Sequence, residues 1–169
     1  EEDIGRGDLT SMALQDSVVS AYWIAKGNGI FCGGKLVQRL FQKLDPSIEI
    51  NLIIKDGETF KVGEKILELK GPSSILVSAE RTSLNIAMHL SGIATTTAYL
   101  VEEIKGTGVK LVDTRKTTPG LRLLEKYAVR CGGGFNHRMG LDDAAMLKEN
   151  HIAWAGGIKE SIKILKNSI

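Results

Sequence analysis

The chain has 169 residues, of which 43% are hydrophobic and 25% are charged, with a formal net charge of +2. This composition excludes a disordered or fibrous protein and is typical of a globular protein that buries a core. No apolar run approaches the roughly 20 residues that cross a bilayer, and no basic-then-apolar signal segment opens the sequence. We therefore predict a cytoplasmic protein with neither a membrane nor a nucleic-acid partner.

The pattern of apolar and polar side chains in residues 1–107 predicts an N-terminal α+β domain that resembles a sandwich. Ile48, Ile50, Leu52 and Ile54 alternate with polar residues, which is the period of a half-buried strand. The predicted elements are strands at residues 17–26, 48–54 and 65–70 and helices at 35–44, 73–90 and 91–103, the last two separated by a bend at Gly92.

Residues 108–169 predict a βαβα run. Strands are expected at 109–113 and 144–148, and helices at 119–131 and 157–167. Thr118 and Pro119 form a typical helix start, and Gly132 a typical stop. Such alternation favours parallel strands, whose carboxyl ends carry the reactive loops of α/β folds. Residues 114–118 and 148–151 occupy those positions.

Positive charge is concentrated in residues 114–141. This segment holds six Arg or Lys residues and one acid, Glu125, so it carries +5 while the remainder of the chain carries about −3. A local concentration of cations favours a compact polyanionic ligand, such as carboxylates or phosphates in a pocket.

Several polar residues have a structural interpretation that we prefer. Arg122, Lys126 and Arg130 recur every four residues, which favours a solvent-exposed helix face. His89 and His151 are interpreted as structural hydrogen-bonding residues.

The glycines and cysteines also have structural interpretations. The run at residues 132–134 lacks P-loop spacing, so a helix stop with a tight turn is preferred to a phosphate cradle. Cys32 and Cys131 stand far apart without a CxxC or His/Cys cluster, so we predict two buried thiols, with neither a metal site nor a disulfide.

Ordered motifs along the whole chain resemble those of the quinolinate phosphoribosyltransferase family, also named nicotinate-nucleotide pyrophosphorylase. The matching segments are Glu2-Asp3 with residues 7–10, residues 79–82 with Leu84-Asn85, residues 91–95, residues 113–120, and His137-Arg138 with residues 148–151. The resemblance implies transfer of phosphoribosyl from phosphoribosyl pyrophosphate to quinolinate with decarboxylation, a reaction of NAD biosynthesis.

The family also implies a fold and an assembly. We expect the N-terminal domain to be followed by an open α/β barrel in a homodimer. Only 61 residues follow residue 108, enough for two βα units, whereas a barrel needs about 200 or more in all. Since the sequence also lacks an initial Met, we expect a piece of a longer protein that is inactive alone, with an incomplete barrel.

Residue roles follow from the resemblance. Arg115, Arg138 and Lys148 hold the dicarboxylate, Lys116 lies near the pyrophosphate and ribose, and Lys116 and Lys148 are the catalytic candidates. Thr117 and His137 are further substrate-binding candidates, the role of His137 being chemical or structural. Arg81 is expected to enter the neighbouring subunit's site. Mg²⁺ is expected to accompany phosphoribosyl pyrophosphate, with no metal ligands in this piece and its acidic partners beyond residue 169.

Two other classes stay open. One is a related phosphoribosyltransferase-like protein, either specific for nicotinate or associated with molybdenum transport. The other is a non-enzymatic module, because residues 56–57, 62–64 and 66–69 resemble a biotinyl or lipoyl carrier hairpin. A carrier needs an exposed lysine in a characteristic tripeptide at the hairpin tip, and the sequence lacks it.

Overall fold

A three-stranded antiparallel sheet, backed by two helices, organises the first half of the molecule. A computed structural model of the protein describes residues 3–168. The elements are α1 (Leu9–Ala13), β1 (Val18–Ile24), β2 (Gly29–Ile30), α2 (Gly34–Leu44), β3 (Glu49–Leu52), β4 (Thr59–Phe60), β5 (Lys65–Pro72), α3 (Ser73–Glu103), α4 (Arg122–Cys131), α5 (Glu149–Trp154) and α6 (Ile158–Ser168).

The chain divides into two compact units, residues 1–137 and residues 138–169. Glu2, which belongs to the first motif, lies outside the described residues. The predicted mixed α/β class is confirmed, and the domain boundary at residue 107 stays a prediction. None of the helices within residues 3–168 has the length and apolar character needed to cross a bilayer.

The sheet has the order β1-β5-β3, with both pairs antiparallel. The three strands were predicted from their side-chain patterns. The central strand, β5, buries Ile66, Leu67 and Leu69, because it is paired on both edges and covered by the helices. On α2, Val37 and Phe41 lie one turn apart and are fully buried. Burying each such large apolar side chain stabilises the fold by about 1.5–3 kcal/mol.

Residues 73–103 form one continuous helix, α3. The predicted division into two helices with a bend at Gly92 is wrong. A glycine weakens a helix by only about 1 kcal/mol relative to alanine, and both flanks of Gly92 are packed. Ser91 is buried and its hydroxyl accepts a hydrogen bond from the Cys32 backbone N–H at 3.0 Å, and Ala94 is fully buried. Tertiary packing therefore holds the helix through the glycine.

Helix α4 starts at Arg122, three residues after the predicted start at Pro119. A turn comes first: the Leu121 N–H donates to the Thr118 carbonyl at 3.0 Å, and Gly120 has φ of 81°. That left-handed conformation suits glycine and interrupts a helix. The predicted end at Gly132 is confirmed.

The strands predicted at residues 109–113 and 144–148 do not form. The strand expected at residues 109–113 is reduced to one parallel bridge, between Val112 and Phe135. Residues 144–148, predicted as the next strand, are irregular, because a strand needs a partner and the structure describes none for them within residues 138–168. The last predicted helix is confirmed as α6.

The two cysteines differ in burial. Cys32 is buried, as predicted, whereas Cys131 is only half-buried at the end of α4. The prediction of two buried thiols is therefore wrong for Cys131, because the last turn of the helix lies at the edge of the core between α3 and α4.

Candidate anion site

The bridge between Val112 and Phe135 brings two loops to one edge. The Asp113 N–H donates to the Phe135 carbonyl at 3.0 Å, and the Phe135 N–H donates to the Leu111 carbonyl at 2.9 Å. Because the two segments run parallel, the residues that follow each of them emerge on the same side. Residues 114–118, which we name the cation loop, and His137 therefore lie at the same edge.

The Asp113 carboxylate anchors the start of the cation loop. Its Oδ1 accepts hydrogen bonds from the Lys126 ammonium and, at 2.8 Å, from the His137 N–H, while Oδ2 accepts from the Asn136 amide at 2.6 Å. Lys126 also donates to the His137 carbonyl at 2.9 Å. The Lys126 side chain is 1% exposed and that of Asp113 is 8% exposed. This buried ion pair therefore ties both loops to α4.

The prediction of a solvated face on α4 is wrong for Lys126. Arg130 is exposed as expected, but Arg122 is half-buried and its Nε donates to the Thr117 hydroxyl at 3.1 Å. A spacing of four residues places side chains along one side of a helix, but it does not say whether that side meets solvent. Here the Asp113 carboxylate covers the middle position.

Glu125 anchors the other end of the cation loop. Its Oε2 accepts from the Thr118 N–H at 3.1 Å, and its Oε1 lies 2.9 Å from His89 Nε2. Burial acts to raise the pKa of Glu125, but the hydrogen bonds from Thr118 and His89 outweigh it and hold the pKa below its usual value. The structural interpretation of His89 is thus consistent with its contact, and two consecutive residues of α4 hold the two ends of the loop.

The predicted ligand-binding side chains lie between these anchors. Arg115 is half-buried, Lys116 is exposed and Thr117 is half-buried. The Lys116 N–H donates to the Thr114 hydroxyl at 3.0 Å, which tightens the turn. With Lys126 engaged by Asp113, the loop's positive charge comes from Arg115 and Lys116. A fixed guanidinium and an ammonium together suit a ligand with carboxylate and phosphate groups.

Arg81 lies elsewhere in the same unit. Its exposed side chain is on α3, eight residues before His89, so about 12 Å of helix separates it from the Glu125 contact. Asn85, one turn from each, is also exposed. Arg81, Asn85 and His89 thus form a polar stripe on α3, and Arg81 lies at the end of the stripe that is far from the cation loop.

Arg138 and Lys148 belong to the second unit. Arg138 is half-buried, and its Nη1 donates to the Ala144 carbonyl at 2.7 Å. Lys148 is exposed and immediately precedes α5, where its N–H donates to His151 Nδ1 at 3.1 Å. This contact supports the structural interpretation of His151. That these two cations join Arg115 and Lys116 at one mouth stays a prediction.

The glycine run at residues 132–134 has the structural role that we preferred. Gly132 ends α4, and Gly133 has φ of 86°. A Cβ at Gly132 would lie 2.3 Å from the Ala94 carbonyl oxygen, so only glycine allows α3 and α4 to approach this closely. The sequence predicted the turn but not this close contact.

An apolar cavity of about 850 Å³ lies apart from the cation loop, between β1 and α3. Its lining includes Trp23, Leu76, Ala87 and Met88, and none of the residues predicted for the substrate site. Its character therefore suits neither carboxylates nor phosphates. Within residues 3–168, no group of three or more His, Cys, Asp or Glu side chains is arranged to hold a metal ion.

Sequence reasoning missed the residues that support the loop, namely Asp113, Lys126, Asn136 and the Glu125–His89 pair. The position of Asp113 at the end of an apolar run was a weak indication that it supports the loop. Lys126 gave no such indication, because fully buried lysines are rare and a helical lysine is ordinarily assigned to the surface.

Two models of one protein family match nearly the whole chain. Residues 8–91 match the family model described as the quinolinate phosphoribosyl transferase N-terminal domain, and residues 93–169 match the C-terminal domain of the same family. The chain belongs to the quinolinate phosphoribosyl transferase family. This membership removes the support for the carrier-module alternative, since the hairpin residues lie within the family's own N-terminal domain.

Relatives in this family are similar along almost the whole chain. The probable nicotinate-nucleotide pyrophosphorylase of Bacillus subtilis is 50% identical over 163 residues, covering 96% of this chain and 56% of the relative. That of Synechocystis is 45% identical over 169 residues, covering 99% of this chain and 57% of the relative. The chain thus spans somewhat more than half the length of these relatives.

A solved structure shows the same fold. The nicotinate-nucleotide pyrophosphorylase of Francisella tularensis superposes with a TM-score of 0.95 at 45% sequence identity, covering 98% of this chain and 59% of that chain. This similarity shows the mixed α/β fold of the family.

Proposed function

We propose that the protein containing this chain transfers phosphoribosyl from phosphoribosyl pyrophosphate to quinolinate. The products are nicotinate mononucleotide, pyrophosphate and CO₂, in a step of NAD biosynthesis. The label "carboxylating" in the relatives' names describes the same reaction in reverse. The observation that carries the proposal is the cation loop, which presents Arg115 and Lys116 between two fixed ends in a chain of this family.

The two loop cations suit different parts of the substrates. Quinolinate carries two ring carboxylates, and a guanidinium binds a carboxylate through two parallel hydrogen bonds, so we assign Arg115 to quinolinate. Lys116 supplies a compact charge, which suits the pyrophosphate. Arg138 and Lys148 complete the dicarboxylate contacts in this proposal, and Thr117 and His137 border the site.

The chemistry needs position and charge more than a nucleophile from the protein. The pyridine nitrogen bonds to the anomeric carbon as the bond to pyrophosphate breaks, and the leaving group takes the electron pair. The ring nitrogen then bears a positive charge, which stabilises the carbanion formed when the adjacent carboxylate leaves as CO₂. A proton from water then bonds to that carbon and gives nicotinate mononucleotide. Cations at the pyrophosphate stabilise charge as it develops, and the bound pair gains from orientation.

Mg²⁺ belongs to this proposal as the counter-ion that phosphoribosyl pyrophosphate brings. The described residues do not offer a cluster of acids that fits a resident metal. In this proposal the chain contributes cations to the reaction, and Lys116 and Lys148 are the catalytic candidates.

The finer architecture and the setting belong to the same proposal. We place residues 108–169 at the start of an open α/β barrel, in a cytoplasmic homodimer. Arg81 then contributes to the neighbouring subunit's site. Its exposure on α3, away from the cation loop, supports a role outside its own subunit's loop.

Mixing two variants of strongly reduced activity tests the role of Arg81. If Arg81→Ala and Lys148→Ala full-length proteins exchange subunits, half of the dimers are mixed and each has one intact site. We expect recovery of about a quarter of wild-type activity, by statistical assortment. A mixture that exchanges subunits but stays inactive would show that Arg81 acts in its own subunit.

Substrate selectivity tests the function itself. With the full-length protein, we expect quinolinate to raise the melting temperature more than nicotinate at equal concentration, because only the dicarboxylate uses every cation. Release of CO₂ and pyrophosphate in equal amounts would establish the transfer. Stabilisation and turnover with nicotinate alone would favour the nicotinate-specific relative, and the absence of phosphoribosyl transfer would favour the transport-associated one.

A further inference from the structure

His89 connects the long helix α3 to the cation loop through one carboxylate. Its Nε2 lies 2.9 Å from Glu125 Oε1, and the other oxygen, Oε2, accepts from the Thr118 N–H at 3.1 Å. The His89 side chain is 44% exposed and that of Glu125 is 11% exposed. A half-exposed imidazole thus determines how a nearly buried carboxylate faces the loop.

The negative charge of Glu125 is unexpected beside an anion site, so its contacts indicate its role. Glu125 is the one acid among the six cations of residues 114–141, and a carboxylate beside an anion site would weaken the attraction for a ligand. Its two oxygens are instead directed to a backbone N–H and to an imidazole. Its role is therefore to hold the end of the cation loop.

Both oxygens need partners for this role to be secure. A glutamate side chain has three rotatable bonds. A nearly buried carboxylate oxygen without a hydrogen-bond partner costs free energy, so loss of the partner favours rotation of the side chain toward solvent. The bond to His89 fixes Oε1 and thereby directs Oε2 at Thr118. Lys126, the next residue on α4, holds the start of the loop at Asp113 through a buried pair that His89 does not touch.

We propose that His89 is a positioning residue for the cation loop. By holding the Glu125 carboxylate in place, it fixes the Thr118 end of the loop and so sets the loop's affinity for an anion. The proposal deepens the proposed function and rests on it only for the identity of the anion, taken here as pyrophosphate.

Three full-length variants test the proposal. His89→Ala removes the donor, whereas His89→Gln keeps an N–H near the Nε2 position. Glu103→Ala, an exposed carboxylate on the same helix, is the matched control. For each variant we would measure three quantities. They are the rate of amide hydrogen exchange at Thr118 without ligand, the dissociation constant of inorganic pyrophosphate by calorimetry, and the melting temperature.

We expect His89→Ala to speed exchange at Thr118 about tenfold and to weaken pyrophosphate binding about fivefold, as follows from loss of one hydrogen bond to a charged group. His89→Gln should stay within about twofold of wild type in both, and the control should match wild type. KM for phosphoribosyl pyrophosphate should rise in His89→Ala with a smaller change in kcat.

Two outcomes would overturn the proposal. One is a lower melting temperature in His89→Ala with unchanged exchange and binding, and the other is equal behaviour of the alanine and glutamine variants. If His89→Ala does not fold, His89→Asn, whose amide reaches only the Nδ1 position, replaces it with the same expectations. Should wild type lack transfer activity, the proposed function fails, while exchange at Thr118 still decides the role of His89.

Discussion

Two segments each carry two of the candidate cations, and they are held in different ways: the cation loop at residues 114–118 and the segment at residues 138–148. The cation loop is fixed at both ends by side chains of α4, one of them in a buried ion pair. In the second segment, two of the hydrogen bonds join residues that are close in sequence. Arg138 donates to the Ala144 carbonyl, and the Met139 N–H donates to the Asp143 carboxylate at 2.7 Å.

This difference shows that two segments with the same number of cations need not be equally preorganised. A cation on a loop whose ends are held by buried side chains is already in place when an anion arrives, and only small adjustments are needed. A cation on locally held chain depends on bonds that solvent reaches. Substitutions at the supports of the two segments should therefore differ in size, and the following predictions test this from the largest effect to the smallest.

The largest effect is expected at Lys126. Lys126→Met should destabilise the full-length protein by about 3–5 kcal/mol, because it leaves the Asp113 carboxylate buried without its charge partner. Chemical denaturation measures this change. Arg130→Met, on an exposed position of the same helix, should lie within about 0.5 kcal/mol of wild type. Adding Asp113→Asn to Lys126→Met should restore part of the loss, and a Lys126→Met protein as stable as the Arg130 control would contradict the comparison.

Removing one cation from each segment should affect activity and leave stability nearly unchanged. We expect Arg115→Ala and Lys148→Ala each to lower turnover about 10- to 100-fold, which corresponds to losing a charge-assisted contact of about 1.5–3 kcal/mol. Steady-state kinetics and melting temperatures of the full-length variants check this. Activity within twofold of wild type would remove that residue from the proposed site.

Arg138→Lys sharpens the comparison within the second segment. The ammonium keeps the charge but loses the two parallel hydrogen bonds to a carboxylate. We expect quinolinate affinity to fall about tenfold, with a smaller change for phosphoribosyl pyrophosphate, by isothermal titration. Equal losses for both substrates would indicate that Arg138 shapes the pocket as a whole, through contacts such as that with the Ala144 carbonyl.

The smallest effect concerns acid stability. The folded state holds the pKa of Glu125 below its usual value of 4.5, so its contribution to stability is present above that value and is lost as pH falls through the folded pKa. Between pH 6 and pH 3, the melting temperature of Glu125→Gln should therefore fall less steeply than that of wild type. The melting temperature of Glu103→Gln should change with pH as that of wild type does. If the melting temperatures of all three proteins change with pH in the same way, the Glu125 contacts do not stabilise its charged form.

Much of the first unit could be predicted because its signals are local. The alternation of Ile48 through Ile54 gave strand β3, and the apolar spacing of Val37 and Phe41 is that of an amphipathic helix. Predictions failed where a distant contact decides. Gly92 stays helical because its neighbours Ser91 and Ala94 are buried. Residues 144–148 stay irregular because the structure describes no partner strand for them within residues 138–168.

The sequence by itself determined the order of the family motifs, the position of Arg115 and Lys116 after an apolar segment, and the local excess of positive charge. Only the tertiary structure decided that Lys126 is part of the framework and that Glu125 holds the loop. The physical reason is the range of the interactions. Charge and periodicity are read within a few residues, whereas the pairing of Lys126 with Asp113 depends on a bridge between segments more than twenty residues apart, Val112 and Phe135.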